Sequence, residues 1–252
     1  MRLPSSECAD VSGAGRSAGL RGLEVMWCGH STFVVTSPKG VRLLFDPWLM
    51  TNPSCPASAR KVGAIDLILI SHGHSDHCAD AVSVARETGA IVVAPVELVS
   101  WLERQGVKNT RPMNIGGRQT IKNINIGMVN ALHSSSATER GENTYLGPAT
   151  GFVVRFEEGP TIYFAGDTAL FGDMRLIRER FAPDIAFLPI GDRYTMGPED
   201  AAIAADWLGV KTVIPMHYAT FPELTGTPDQ LRQFTAPRAI EVVELRPGQT
   251  AC

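Results

Sequence analysis

The seven residues Ser71-His72-Gly73-His74-Ser75-Asp76-His77 come directly after the apolar stretch Ile65–Ile70, and they constrain the fold more than anything else in the chain. Imidazole and carboxylate are the groups that hold zinc, manganese or iron, and few other purposes need four of them within six residues. The preceding stretch suits a strand buried on both faces. The ligands then stand at the carboxyl end of a strand, which in open α/β sheets is the ligand-binding edge. His133, Asp167 and His217 each follow another apolar run. Four loops distant in sequence are therefore expected to meet at one edge.

From Leu23 onward, apolar runs alternate with helical patterns, the mark of layered α/β structure. The first three expected strands are Glu24–Cys28, Thr32–Thr36 and Val41–Phe45, with Ser37-Pro38-Lys39-Gly40 as a hairpin turn. Further strands fit Ile124–Ala131, Gly151–Phe156, Thr161–Ala165, Ile185–Pro189, Thr212–Pro215 and Ile240–Leu245. Helical spacing predicts one helix after His77, ending near Gly89, and another over Val96–Gln105. A third opens at Gly197-Pro198-Glu199-Asp200, with proline in the first turn, and stops at Gly209.

A chain of 252 residues can bury a real core, and 44% hydrophobic with 19% charged residues is ordinary for a soluble globular protein. A net charge of -3 and the lack of a Lys/Arg-rich stretch argue against nucleic-acid binding. No run approaches the ~18 apolar residues of a membrane span. Five scattered cysteines (Cys8, Cys28, Cys55, Cys78 and Cys252) lack C-x-x-C spacing and are expected to be free thiols, which suits a reducing cytoplasm. Residues 1–22 show no apolar block and no periodicity; they are expected to form a disordered extension before a single domain at 23–252.

The ligand candidates sort into two sets. Gly73 is expected to let the backbone turn tightly, so that His72 and His74 share one metal with His133 as the third ligand. Asp76 and His77 are offset toward a second metal, completed by His217, and Asp167 can bridge the two through its two oxygens. Such a pair of divalent ions, with zinc favoured over manganese or iron, holds a hydroxide and polarises a substrate oxygen, so hydrolysis is the expected chemistry. Taken singly, His133 and His217 can also be read as satisfied polar residues, and Asp167 as the cap of a helix starting near Phe171. His30 has no metal position left; it is read as a site-edge residue that bonds substrate or a metal ligand, or else as a structural histidine closing the first strand. Asp46 is expected to accept the free ring N–H of a ligand histidine. Tyr218 and Thr195 are candidate hydroxyl donors to an oxyanion.

These residues resemble the metal motifs of the metallo-β-lactamase fold superfamily. Gly29-His30-Ser31, Leu44-Phe45-Asp46-Pro47, His133-Ser134-Ser135-Ser136, Leu188-Pro189-Ile190-Gly191 and Pro215-Met216-His217-Tyr218 more narrowly resemble its branch of small metal-dependent hydrolases, which is similar to ascorbate-phosphate lactonases. The resemblance implies an αβ/βα four-layer sandwich with the metals at one edge. It also implies one metal on His72, His74 and His133, a second on Asp76, His77 and His217, and Asp167 between them. Asp192-Arg193-Tyr194 departs from the branch pattern, and Arg193 is a candidate anion hook.

The expected activity is cleavage of a small ester-type substrate (lactone, thioester or phosphodiester), with Asp76, Asp167 and His30 in the catalytic machinery. A small molecule is the expected partner, and self-association into a homo-oligomer is left open. One rival is a non-haem iron oxidoreductase on the same fold. It is disfavoured because such enzymes carry a flavin domain with a Glu in place of His74, or lack part of the second ligand set. The other is a nuclease or phosphodiesterase acting on nucleic acid, disfavoured by the acidic charge balance.

Overall fold

The computed structural model describes residues 18–139 and 141–252. Two mixed seven-stranded sheets stack on each other. The first contains β1 (Glu24–Trp27), β2 (Phe33–Thr36), β3 (Arg42–Phe45), β4 (Leu67–Leu69), β5 (Ile91–Pro95), β6 (Thr110–Met113) and β16 (Thr250–Ala251), in the order β16-β1-β2-β3-β4-β5-β6. The second contains β7 (Arg118–Ile121), β8 (Ile124–Asn130), β11 (Thr150–Arg155), β12 (Thr161–Phe164), β13 (Ile185–Pro189), β14 (Thr212–Met216) and β15 (Glu241–Val242), in the order β15-β14-β13-β12-β11-β8-β7. A separate hairpin pairs β9 (Ser136–Glu139) with β10 (Glu142–Tyr145).

Each large sheet is antiparallel in one half and parallel in the other. Tight turns join β1, β2 and β3, whereas β3 to β6 run parallel, as do β12 to β15. Parallel neighbours need crossovers, and helices supply most of them. The helices are α1 (Ser75–Cys78), α2 (Ala81–Thr88), α3 (Val96–Arg104), α4 (Met174–Phe181), α5 (Pro198–Leu208) and α6 (Pro228–Thr235). Helices α2 and α3 cover the outer face of the first sheet; α4, α5 and α6 pack beside the second. The result is the expected αβ/βα sandwich.

Side-chain alternation divides the core. Leu67 and Leu69 of β4 point between the sheets, while Ile68 points to the helices. Aromatic rings join the two sheets: Phe33 meets Phe187 edge-on at 5.0 Å and Phe45 stacks on Phe164 at 4.6 Å. Such pairs contribute about 0.5–1.5 kcal/mol each beyond the area they bury. This rigid interior fixes the strand ends that carry the ligand candidates.

Several expectations need correction. The helix after His77 is two helices, because the Asp80 amide bonds the Pro47 carbonyl (2.9 Å) and its carboxylate accepts from the Leu49 and Met50 amides. His77 itself lies within α1. Residues 18–20 form a 3-10 turn with Leu20 fully buried, so structureless chain does not extend to residue 22. The expectation for residues 1–17 lies outside the described residues. Cys252 is disulfide-bonded rather than a free thiol, whereas Cys28, Cys55 and Cys78 are free and buried. No helix among the described residues is long and apolar enough to cross a membrane.

Candidate metal centre

Strand ends from both sheets deliver the candidate ligands to one edge. His30 follows β1, Asp46 follows β3, and His72 to His77 follow β4; from the other sheet, His133 follows β8, Asp167 follows β12 and His217 follows β14. Three of these residues leave their strands in the left-handed conformation: His30 (φ 56), Asp46 (φ 42) and His217 (φ 55). That backbone costs roughly 1–2 kcal/mol per non-glycine residue and clusters at functional sites. It turns each side chain from the pleat into the edge. Hydrogen bonds hold the turns, with the His217 amide on the His30 carbonyl (3.1 Å) and the Asp46 amide on the Leu69 carbonyl (3.0 Å).

Two glycines make room. Gly73 does not have the positive φ of a tight turn; its value is space, since a Cβ there would lie 2.5 Å from Leu146 Cδ1. A Cβ on Gly191 would collide with the carbonyl oxygen of His217. Gly191→Ala is therefore expected to displace His217 and weaken metal binding about tenfold or more, as loss of a ligand's support does. Isothermal titration with zinc checks this; unchanged affinity refutes it.

Asp46 orients two rings. Its carboxylate is fully buried and accepts from the Ser71 amide (2.7 Å), the Ser71 hydroxyl (2.7 Å) and His77 Nδ1 (2.8 Å). Because the Ser71 hydroxyl donates to Asp46, its oxygen accepts from His72 Nδ1 at 2.9 Å. Both rings then carry the proton on Nδ1 and present the Nε2 lone pair to the edge. On the other side, His30 Nε2 lies 3.2 Å from Asp76 Oδ2, and its Nδ1 lies 2.9 Å from the Thr220 hydroxyl.

The lone pairs face a carboxylate. Asp167 Oδ2 lies 3.0 Å from His217 Nε2, 3.6 Å from His133 Nε2 and 4.0 Å from His72 Nε2, while Oδ1 lies 3.3 Å from His77 Nε2. The ligand atoms of His72, His74 and His133 fall within 4.8 Å of one another, and so do those of His30, Asp76, His77 and His217. His77 Nε2 and Asp167 Oδ1 are buried without a hydrogen-bond partner. Burial works against charge on His77, yet the facing Asp167 and Asp76 carboxylates raise its pKa well above the imidazole range, so without a metal a proton sits at Nε2 where a cation would take the lone pair. Burial likewise opposes charge on Asp167, and the His217 and His77 rings hold it well below the carboxylate range. Imidazole nitrogens crowded around a buried carboxylate fit a cation, which would replace that proton. A third grouping, Asp46 with His72 and His77, is different. The Asp46 oxygens are already taken by hydrogen bonds, so it positions ligands rather than binding metal.

Residues 41–218 match the model of the β-lactamase superfamily domain. The chain belongs to this superfamily. A UPF0173 metal-dependent hydrolase of Koribacter versatilis is 47% identical over 231 residues, covering 92% of this chain and 98% of the relative. Another from Rubrobacter xylanophilus is 48% identical, covering 91% and 96%. Among solved structures, Igni18, a metallo hydrolase from Ignicoccus hospitalis, superposes with a TM-score of 0.81 at 34% identity, covering 90% of this chain and 97% of that one. The protein is a metal-dependent hydrolase of the metallo-β-lactamase fold.

In this hydrolase, all seven predicted ligands and His30 come together at the edge. His30 bonds Asp76, the second partner class expected of it, and it is fully buried. Three expectations are not met. Arg193 does not line the cavity over the cluster; its guanidinium lies over the Tyr194 ring at 5.4 Å. Tyr218 packs in the core against Trp27 at 5.1 Å, and burial pushes its phenol pKa up. Thr195 donates to the Met196 carbonyl. Sequence reasoning missed Ser71 as the link between Asp46 and His72, and Thr220 as the support of His30. It also missed Tyr194 and Phe221, which wall the cavity with His133, Ser134 and His217. Ser71 could have been found from its place between a buried strand and His72; Thr220 carries no comparable signal.

Proposed function

We propose that the hydrolase works with a dinuclear centre, one divalent cation on His72, His74 and His133 and a second on Asp76, His77 and His217, with Asp167 spanning both. The observation that carries this is the position of Asp167: its carboxylate faces imidazoles of both clusters at 3.0 to 4.0 Å. Five imidazoles with two carboxylates suit zinc, with manganese or iron as alternatives. Bound there, the cations supply an acidified water nucleophile near neutral pH and a Lewis acid for the developing oxyanion. The chain's own residues do the positioning. Asp46 and Ser71 lock the His72 and His77 rings, His30 holds the Asp76 carboxylate, and Tyr194 and Phe221 line the cavity beside them.

The proposed substrate is a small molecule with an ester-type bond (lactone, thioester or phosphodiester). A cavity of about 260 Å³ over the cluster supports that size. The test is hydrolysis of bis(p-nitrophenyl) phosphate, a simple lactone and a simple thioester by metal-reconstituted protein, beside the Asp167→Ala variant. At least one class is expected to be cleaved, and only by the wild type. Protein that binds about two metals per chain and cleaves none overturns the reading.

Metal removal gives a second check. Chelation is expected to abolish hydrolysis and lower the melting temperature, and added zinc to restore both. Cation at a hundred times its Kd stabilises by about 2.7 kcal/mol, a shift of about 5–10 °C for a domain of this size. Activity that survives complete stripping refutes metal dependence.

A further inference from the structure

We propose that a second cavity, on the far side of His74 and Asp76, holds the part of the substrate beyond the bond being cut, and that it takes an uncharged apolar chain. The inference rests on the hydrolase reading above and narrows its substrate class to neutral carboxylic esters, thioesters and lactones. This cavity, about 470 Å³, is larger than the one over the cluster, and His74 and Asp76 line both. The two cavities thus adjoin at these two side chains, and the proposed substrate spans both.

The walls say what fits. Cys78, Ala79 and Val82 form one side, and Trp101 and Ala137 add apolar surface from α3 and β9. The Trp101 indole is fixed because its Nε1–H donates to Glu139 Oε1 at 3.1 Å, where Gln105 Nε2 also donates at 3.1 Å. The indole thus presents a ring face without an unmet donor. Charge points the same way. Asp76 and Glu139 are the carboxylates at this cavity, and neither cavity has a lysine or arginine among its described lining residues. Beyond the metals, an anionic tail finds no cationic side chain among the described lining residues and meets the Glu139 carboxylate. An apolar chain loses water against the apolar walls, while Ser75, Ser136 and Thr138 share the lining.

The experiment uses the metal-loaded protein with p-nitrophenyl acetate, butyrate, hexanoate and octanoate, and bis(p-nitrophenyl) phosphate alongside. Burial of each methylene predicts a rise in kcat/KM of up to about fourfold per CH₂. Trp101→Ala and Val82→Asp are each expected to flatten that rise while acetate turnover stays within about twofold of wild type. Two variants are used because one can fail to fold. A rate independent of chain length, or a rise that survives in both variants, overturns the inference. Cleavage of the phosphodiester alone, lost in Asp167→Ala, also overturns it but leaves the dinuclear hydrolase reading standing. Cleavage of none of these compounds by protein carrying its metals overturns the inference, and the hydrolase reading falls with it only if the lactone and the thioester are also left intact.

Discussion

Asp167→Ala is expected to lower kcat by about 10³-fold or more, a loss of ~4 kcal/mol in the transition state, and to reduce bound metal from about two to about one per chain. The reason is geometric. Asp76 Oδ2 reaches only the second cluster, with His30 at 3.2 Å, His77 at 3.9 Å and His217 at 4.0 Å. Asp167 alone among the described carboxylates addresses His72 and His133 as well as His77 and His217. The fold should survive the change. The loop around Asp167 is held without its side chain, by the Ala165 amide on the Phe187 carbonyl (3.1 Å) and by the Thr168 hydroxyl accepting from the Leu132 amide (3.0 Å). Metal analysis, circular dichroism and steady-state kinetics on one preparation settle the matter. A folded variant that keeps two metals and a tenth of the activity overturns the bridging role.

The ligands were legible because each stands just past an apolar run, and such runs are the parts of this chain that propensity and periodicity describe best. What joins the ligands was not. Asp46 reaches His77 and Ser71 only because its own backbone turns left-handed, and no residue type announces that turn at an aspartate before proline. Strand β5 went unassigned because its five apolar residues sit between Gly89 and a helix, where length alone cannot separate strand from helix. Helix α4 hides its pattern behind arginines: only Met174 and Ile177 are buried, while Arg175 lies over the Trp207 ring at 3.7 Å. The β9–β10 hairpin is polar and mostly exposed, so no alternation marks it, yet it supplies a wall of the second cavity. The expected strand Ile240–Leu245 shrinks to the two residues of β15, an edge strand with one pairing partner.

Asp46→Ala is expected to destabilise the metal-free protein by about 3–5 kcal/mol, the cost of breaking a buried charged pair, and to lower its melting temperature by about 6–20 °C. The carboxylate is fully buried, and its loss strands three donors: the Ser71 amide, the Ser71 hydroxyl and His77 Nδ1. Each stranded donor costs about 1–3 kcal/mol, less what repacking recovers. Asp46→Asn separates stability from positioning. It fills the same volume and can still accept from the Ser71 amide, but its amide nitrogen faces His77 Nδ1 and the Ser71 hydroxyl as a donor. The His77 ring then favours the tautomer with its proton on Nε2, pointing at Asp167 where a lone pair is needed. Metal affinity is expected to fall about 10–100-fold in Asp46→Asn, the usual cost of losing a partner that orients a ligand, with a smaller loss of stability than in alanine. Thermal melts of both metal-free variants, paired with zinc titrations, read the two effects separately. If Asp46→Asn binds zinc as wild type does, Asp46 is a structural strut of the strand ends and does not set the ring protons.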